Sequence, residues 1–227
     1  MPVIAVANSK GGSGKSTAAL LLACEIAEAA SVVLIDADPR RPLAAWSRMA
    51  PPPRRLEVVS SGGERDIQDE IAGAAARVPF VVVDLEGTAS RLASYAMAEA
   101  DLVLVPAQEQ HQDAQAAIDT LGEVRRAGRA ARRNIPAVVL LTRTRAAVKS
   151  RTARHVAYQL RAASGVEVLN VELVERDAFA ALFASGGGLR ALSSGEVNGI
   201  DRAIENAAAL AEEVIAILRR EQRAQVA

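Results

Sequence analysis

Eight residues near the start constrain this chain more than any others: Lys10-Gly11-Gly12-Ser13-Gly14-Lys15-Ser16-Thr17. They follow a short β-branched run, Val3–Asn8, and lead into a stretch with helical apolar spacing, Lys15–Ala29. A strand that turns through glycines into a helix points its loop N–H groups inward. The positive end of the helix adds to them, and the result is a cradle for phosphate oxygens. Lys15 supplies a mobile ammonium for the β- and γ-phosphates, and Ser16 a hydroxyl for Mg²⁺. A glycine-rich turn without a ligand would leave Lys15 and Ser16 unexplained in this order. ATP and Mg²⁺ are therefore the expected ligands, with Gly11, Gly12, Ser13, Gly14, Lys15, Ser16 and Thr17 as the nucleotide-binding residues.

A loop of this kind belongs at the end of a strand in an α/β sheet, and the remaining pattern agrees. Strands are predicted at Ser31–Asp36, Leu56–Ser60, Phe80–Asp84, Leu102–Pro106, Ala137–Thr142 and Glu167–Asn170, with Pro106 closing its strand. Helices are predicted at Glu64–Arg77, His111–Gly128, Lys149–Ala163, Arg176–Ala184 and Ile200–Arg220. The expectation is an α/β fold: a single P-loop NTPase domain spanning 1–227, with a mostly parallel twisted sheet and helices on both faces. Half of the residues are apolar but only 3% are aromatic, so the core must be built from Ala, Val, Leu and Ile. Pro51-Pro52-Pro53 reads as a local loop. The single cysteine, Cys24, allows no disulfide within the chain and no multi-cysteine metal site, and reads as a small buried hydrophobe. Trp46 reads as packing. His111 and His155 lack a second ligand at metal spacing and read as surface or helix-end residues. The first residues have no charged segment before an apolar run, so no signal peptide is expected, and no apolar run reaches membrane-spanning length. A cytoplasmic location follows.

Two strands end in acids. Ile35 is followed by Asp36-Ala37-Asp38-Pro39-Arg40, and Phe80-Val81-Val82-Val83 by Asp84. Carboxylates at strand C-termini face the ligand crevice of an open α/β sheet. Asp84 should hold a Mg²⁺-bound water. The plainer reading of Asp36 and Asp38 is that they cap a turn before the next helix.

The net charge is zero, yet Val124–Val166 contains no Asp or Glu while carrying Arg125, Arg126, Arg129, Arg132, Arg133, Arg143, Arg145, Lys149, Arg151, Arg154 and Arg161. A GC-rich gene accounts for Arg in place of Lys but not for the missing acids. Such asymmetry points to a polyanionic partner, and Arg129, Arg132, Arg133, Lys149, Arg151 and Arg154 are the DNA-binding candidates.

The loop also departs from an ordinary P-loop, with Ser9 where a glycine is expected and Lys10 ahead of a Gly pair. In this it resembles the deviant Walker A family of ParA and MinD, whose motif runs K-G-G-x-x-G-K-[ST]. The resemblance covers nearly the whole chain. It implies that Lys10 reaches across a nucleotide-sandwich homodimer to the partner's ATP, making Lys10, Lys15 and Asp38 the catalytic set. It further implies that Asp38 orients the attacking water, and that Asp36 and Asp84 support Mg²⁺ through bound water while Ser16 binds it. Thr142 and Arg143 fall where that family contacts adenine. Two departures stand out: Arg40 replaces a family Gln, and Leu85-Glu86-Gly87-Thr88 replaces the usual Asp-x-Pro-Pro. Gly87 keeps the flexible switch. Glu86 has three open roles: repelling product phosphate, binding Mg²⁺ waters, or facing solvent. Pro42–Trp46 and Glu175–Ala181 are similar to segments of the VirC-type ATPases of DNA-transfer systems.

Three functional readings follow. The first is a ParA-like ATPase, slow and partner-stimulated. ATP-dependent dimerisation would be coupled to nonspecific DNA binding for plasmid or chromosome partition, or for positioning a DNA-transfer or other cargo complex. A ParB-like, relaxosome or cargo adaptor protein is its expected partner, and association with the nucleoid follows. Because the chain opens almost at its first strand, no N-terminal helix-turn-helix is expected. The second is a MinD-like membrane-cycling ATPase, which needs a bulky amphipathic tail; here only Val226 is apolar near the end, and Ile204, Leu210, Val214, Ile215 and Leu218 are expected to dock on the domain. No stable membrane association is therefore expected. The third is a dethiobiotin-synthetase-like biosynthetic ligase, which needs no basic stripe. A nitrogenase-reductase-like role is excluded, because one cysteine cannot supply two cluster ligands.

Overall fold

The computed structural model describes residues 1–87, 90–145 and 148–226, with side chains to Ala224. Thr88 and the Val226 side chain lie outside the described residues. The apolar runs form β1 (Val3–Val6), β2 (Val32–Ala37), β3 (Leu56–Ser60), β4 (Phe80–Leu85), β5 (Leu102–Gln108), β6 (Ala137–Thr144), β7 (Glu167–Val168) and β8 (Leu173–Val174). Between and after them come α1 (Lys15–Ala27), α2 (Pro42–Met49), α3 (Ile67–Arg77), α4 (Arg91–Glu99), α5 (His111–Ala131), α6 (Arg151–Ala162), α7 (Asp177–Ser185) and α8 (Ile200–Val226).

Among the described residues the sheet has eight strands in the order β3-β2-β4-β1-β5-β6-β7, with β8 pairing β6 beyond β7. Each of these pairings is parallel. Side-chain alternation along the strands divides the core in two. Ile4, Val6, Leu34, Val82, Leu104 and Leu140 face α1, α2, α7 and α8, while Val3, Ala5, Val33, Ile35, Val83, Val105 and Leu141 face α3, α4, α5 and α6. Both faces being covered explains why the inner strands read as unbroken apolar runs. α8 spends its apolar stripe on this core, burying Ala203, Ala207, Leu210, Val214 and Leu218. No helix among the described residues is long and apolar enough to cross a membrane.

Three details differ from the sequence expectation. Pro106 does not close its strand; β5 runs on to Gln108, with Pro106 in register with Leu140. The proline is tolerated because its own polar groups face the side where β1 has ended: its carbonyl there accepts from Asn8 Nδ2 at 2.6 Å. α4 was not anticipated; it is short, and its start is set by Ser90, whose hydroxyl accepts from Ala93 N at 3.1 Å. α2 is likewise absent from the expected helices; it is eight residues long and begins with Pro42 in the first turn, where a missing N–H costs nothing.

Candidate nucleotide site

The C-terminal ends of β1, β2 and β4 open on a cavity of about 710 Å³ lined by Gly11, Gly12, Gly14, Lys15, Ser16, Thr17, Asp38, Arg40, Glu86, Gly87 and Arg143, among others. Gly14 precedes α1 with φ 94° and gives the helix no side-chain cap. Only glycine adopts that turn without strain, and it leaves the first N–H groups of α1 unspent at the cavity. Thr142, 2% exposed, does not face a ligand through its hydroxyl; it donates to Ser13 O at 2.7 Å and so fixes the loop from β6. Gln108 Nε2 donates to Gly12 O at 2.9 Å from the end of β5.

Lys15 is buried, with its ammonium 3.2 Å from the Lys10 carbonyl. Burial lowers its pKa, against the opposing pull of Asp84, Asp38 and Glu86. Gly87 lies against it: a Cβ at Gly87 would sit 3.1 Å from Lys15 Nζ and 3.3 Å from Gly11 N. Any side chain there would press on both the lysine and the loop. Glu86 is half-buried at the cavity wall.

The three carboxylates occupy different situations. Asp84 is fully buried at the end of β4, and among the described residues neither of its oxygens has a hydrogen-bond partner. Burial pushes it up to about 7; the nearby Ser16 hydroxyl eases this without reaching hydrogen-bond geometry, Asp36 and Asp38 add to it, and Lys15 opposes it. A stranded buried carboxylate beside a serine hydroxyl suits a hydrated divalent cation. Asp36 is committed elsewhere. Its Oδ2 accepts from Leu43 N at 2.9 Å and Ala44 N at 2.8 Å, and its Oδ1 from Asp38 N at 3.3 Å. Asp36 thus caps α2, the plainer of the readings its placement offered, with two helix N–H groups on Oδ2 and only the longer Asp38 contact on Oδ1. Burial still raises its pKa, against the lowering effect of the same three N–H groups. Asp38 lines the cavity, with its Oδ1 accepting from Arg40 N at 2.8 Å.

A second cavity of about 340 Å³ adjoins the first at Gly14, Thr17 and Arg143 and is walled by Leu173, Val174, Phe179, Ala180 and Phe183. Arg176 lines it with a buried Nε that has no partner among the described residues. Arg143 stands where the two cavities meet, with φ 51° in the left-handed region. The apolar wall of this second cavity was not legible in the sequence, because Leu173 and Phe183 come from β8 and α7, which only the fold brings to β6.

Lys10 does not point into the cavity. Its ammonium pairs with Asp113 of α5.

The basic stretch does not form one surface. Arg129, Arg132 and Arg133 lie at the C-terminal end of α5, beside Arg125, around a cleft of about 460 Å³. Arg151 and Arg154 start α6 after the C-terminal end of β6, at the other end of the strands, since α5 runs about 30 Å from the end of β5 back to the start of β6. Lys149 is withdrawn from the candidate set: it is held by Glu109 at 2.7 Å and by Glu172. Acids outside the stretch thus neutralise part of it: Glu109 and Glu172 from other elements, Glu172 also taking Arg161, and Glu123 one turn earlier on α5 taking Arg126.

The family model described as "VirC1 protein" matches residues 1–219. A curated relative, "Protein ParA" from Rhizobium radiobacter, is 38% identical over 212 residues, covering 93% of this chain and 95% of its own length. Among solved structures, apo McdA from Cyanothece superposes with a TM-score of 0.72 at 16% identity, covering 91% of this chain and 99% of that one. A putative plasmid partition protein from Borrelia burgdorferi bound to AMPPNP superposes with a TM-score of 0.71 at 16% identity, covering 95% and 98%. At that identity the structural likeness speaks for the fold.

Proposed function

This chain belongs to the VirC1 protein family, within the ParA-like group of partition ATPases, and from that premise we propose that it is a slow ATP hydrolase whose triphosphate state closes a homodimer able to hold DNA. The observation that carries the reading is the loop itself: uncapped α1 N–H groups, Lys15 and Ser16 line one cavity, and the stranded Asp84 lies buried close to Ser16 and Lys15. Backbone N–H groups of residues 11–17 wrap the β-phosphate, and Lys15 bridges to the γ-phosphate. Ser16 and Asp84 hold Mg²⁺, Asp84 through water. When bound, the metal neutralises charge on the phosphate oxygens. The apolar second cavity takes the base, with Phe179 and Phe183 against its faces and Arg176 Nε donating to a ring acceptor.

In the reaction, Asp38 orients water toward the γ-phosphorus, and Lys10 from the partner subunit stabilises the charge that develops on the transferred group. With Asp38 at an open cavity wall, water positioning is incomplete in a single subunit, so turnover is slow and an activating partner of the ParB-like, relaxosome or cargo-adaptor class accelerates it. DNA phosphates are held by Arg125, Arg129, Arg132 and Arg133, which lie on the side of the sheet away from the nucleotide mouth and stay accessible when two mouths close on each other. Work on the nucleoid in the cytoplasm follows from that binding.

Asp38→Ala tests this reading. It should bind ATP with affinity near wild type yet lose at least about a hundredfold in turnover, as removal of a group acting only in the transition state does. Wild-type turnover in Asp38→Ala overturns the assignment of the water.

A further inference from the structure

Asp113 lies in the first turn of α5 and is 1% exposed. Its Oδ2 takes the Lys10 ammonium, while its Oδ1 is buried without a partner among the described residues. The helix end does not use this carboxylate: α5 has no side-chain cap bond at Gln110, and among the described hydrogen bonds Asp113 accepts from Lys10 alone. A buried carboxylate with a single cation depends on it, because removing the cation strands a charge where water cannot reach. The dependence is one-sided, since the Lys10 side chain keeps 33% of its exposure and is free to leave toward solvent.

The backbone under Lys10 is mounted on the same corner. Asn8 Nδ2 reaches Pro106 O at 2.6 Å, Lys10 N donates to Asn8 Oδ1 at 2.8 Å, and Ser9 N donates to Thr120 Oγ1 of α5 at 3.1 Å. The side chain can therefore swing while its Cα stays in place.

We propose that Asp113 is the positioning residue for Lys10: it seats the ammonium on its own subunit, and the triphosphate of a second copy must draw it off before the dimer closes. The proposal rests on the reading that Lys10 crosses the dimer. Closure strands Asp113, so the pair raises the nucleotide concentration that closure requires and shortens the life of the closed state.

Asp113→Asn keeps the shape and removes the charge. Sedimentation against a titration of slowly hydrolysed ATP analogue should show half-maximal dimerisation at a concentration at least about tenfold lower than wild type. General loss of packing would not produce that gain. Unchanged or weaker dimerisation in Asp113→Asn, with Lys10→Ala unable to dimerise, overturns the seat alone. Normal dimerisation of Lys10→Ala overturns the crossing role beneath it. A measurement on wild type needs no variant to fold: Lys10, Lys15 and Lys149 are the chain's only lysines, so ¹⁵N-lysine spectra can follow each ammonium. The Lys10 ammonium should be protected from exchange without nucleotide and should change on adding the analogue. Exchange like that of a free lysine in the nucleotide-free protein overturns the proposal.

Discussion

Asp84 is the residue whose surroundings suit it least without a ligand: fully buried, with both oxygens unpartnered among the described residues and its pKa pushed up to about 7, chiefly by burial. The sign of the consequence is fixed by linkage. A carboxylate raised in the folded state favours folding when protonated, so the contribution is full below the unfolded carboxylate value and is lost as pH climbs through about 7. The melting temperature of the chain without metal or nucleotide should therefore fall as pH rises from about 5 to about 8, and Asp84→Asn should flatten the fall. An unchanged slope in Asp84→Asn would place the titrating group elsewhere. Asp36 behaves differently although it ends a neighbouring strand. Three N–H groups hold it, so Asp36→Ala should cost about 1–3 kcal/mol of stability in denaturant unfolding, whether or not metal is present. A loss seen only with metal would give Asp36 the Mg²⁺-supporting role instead. From sequence Asp36 kept two readings, metal support and a cap before the next helix, because nothing in Asp36-Ala37-Asp38 says which N–H groups reach its carboxylate; the folded chain brings those of Leu43 and Ala44 to it.

At the scale of elements, the strand-to-helix turn was readable because one short segment holds all its parts: β1, the glycines, Lys15 and the start of α1. Other features needed distant partners. Pro106 looked like a strand end until β1 was seen to stop beside it, and Lys149 looked free until Glu109 and Glu172 closed on it. The same lesson divides the basic stretch between the C-terminal end of α5 and the N-terminal end of α6. Charge reversal separates the two groups. Arg129, Arg132 and Arg133 changed together to Glu should weaken DNA binding at least about tenfold and reduce its salt dependence, with ATP affinity unchanged. Arg151 and Arg154 changed to Glu should do less. A larger effect from the α6 pair in a filter-binding or anisotropy titration would move the DNA surface to that end.

For the whole molecule, the parallel order β3-β2-β4-β1-β5-β6-β7 gathers the ends of β1, β2 and β4 at one mouth, and a lysine that does not point into that mouth waits at its rim on Asp113. Under the proposed function, such an arrangement holds a nucleotide in one subunit and completes its chemistry only with another. Sedimentation velocity with Mg²⁺ and either ADP or a slowly hydrolysed ATP analogue, each with and without plasmid DNA, tests this most directly. The account predicts a monomer with ADP, a dimer with the analogue, and co-sedimentation with DNA in the analogue sample only. A chain that sediments identically in every sample and retains no nucleotide would contradict it.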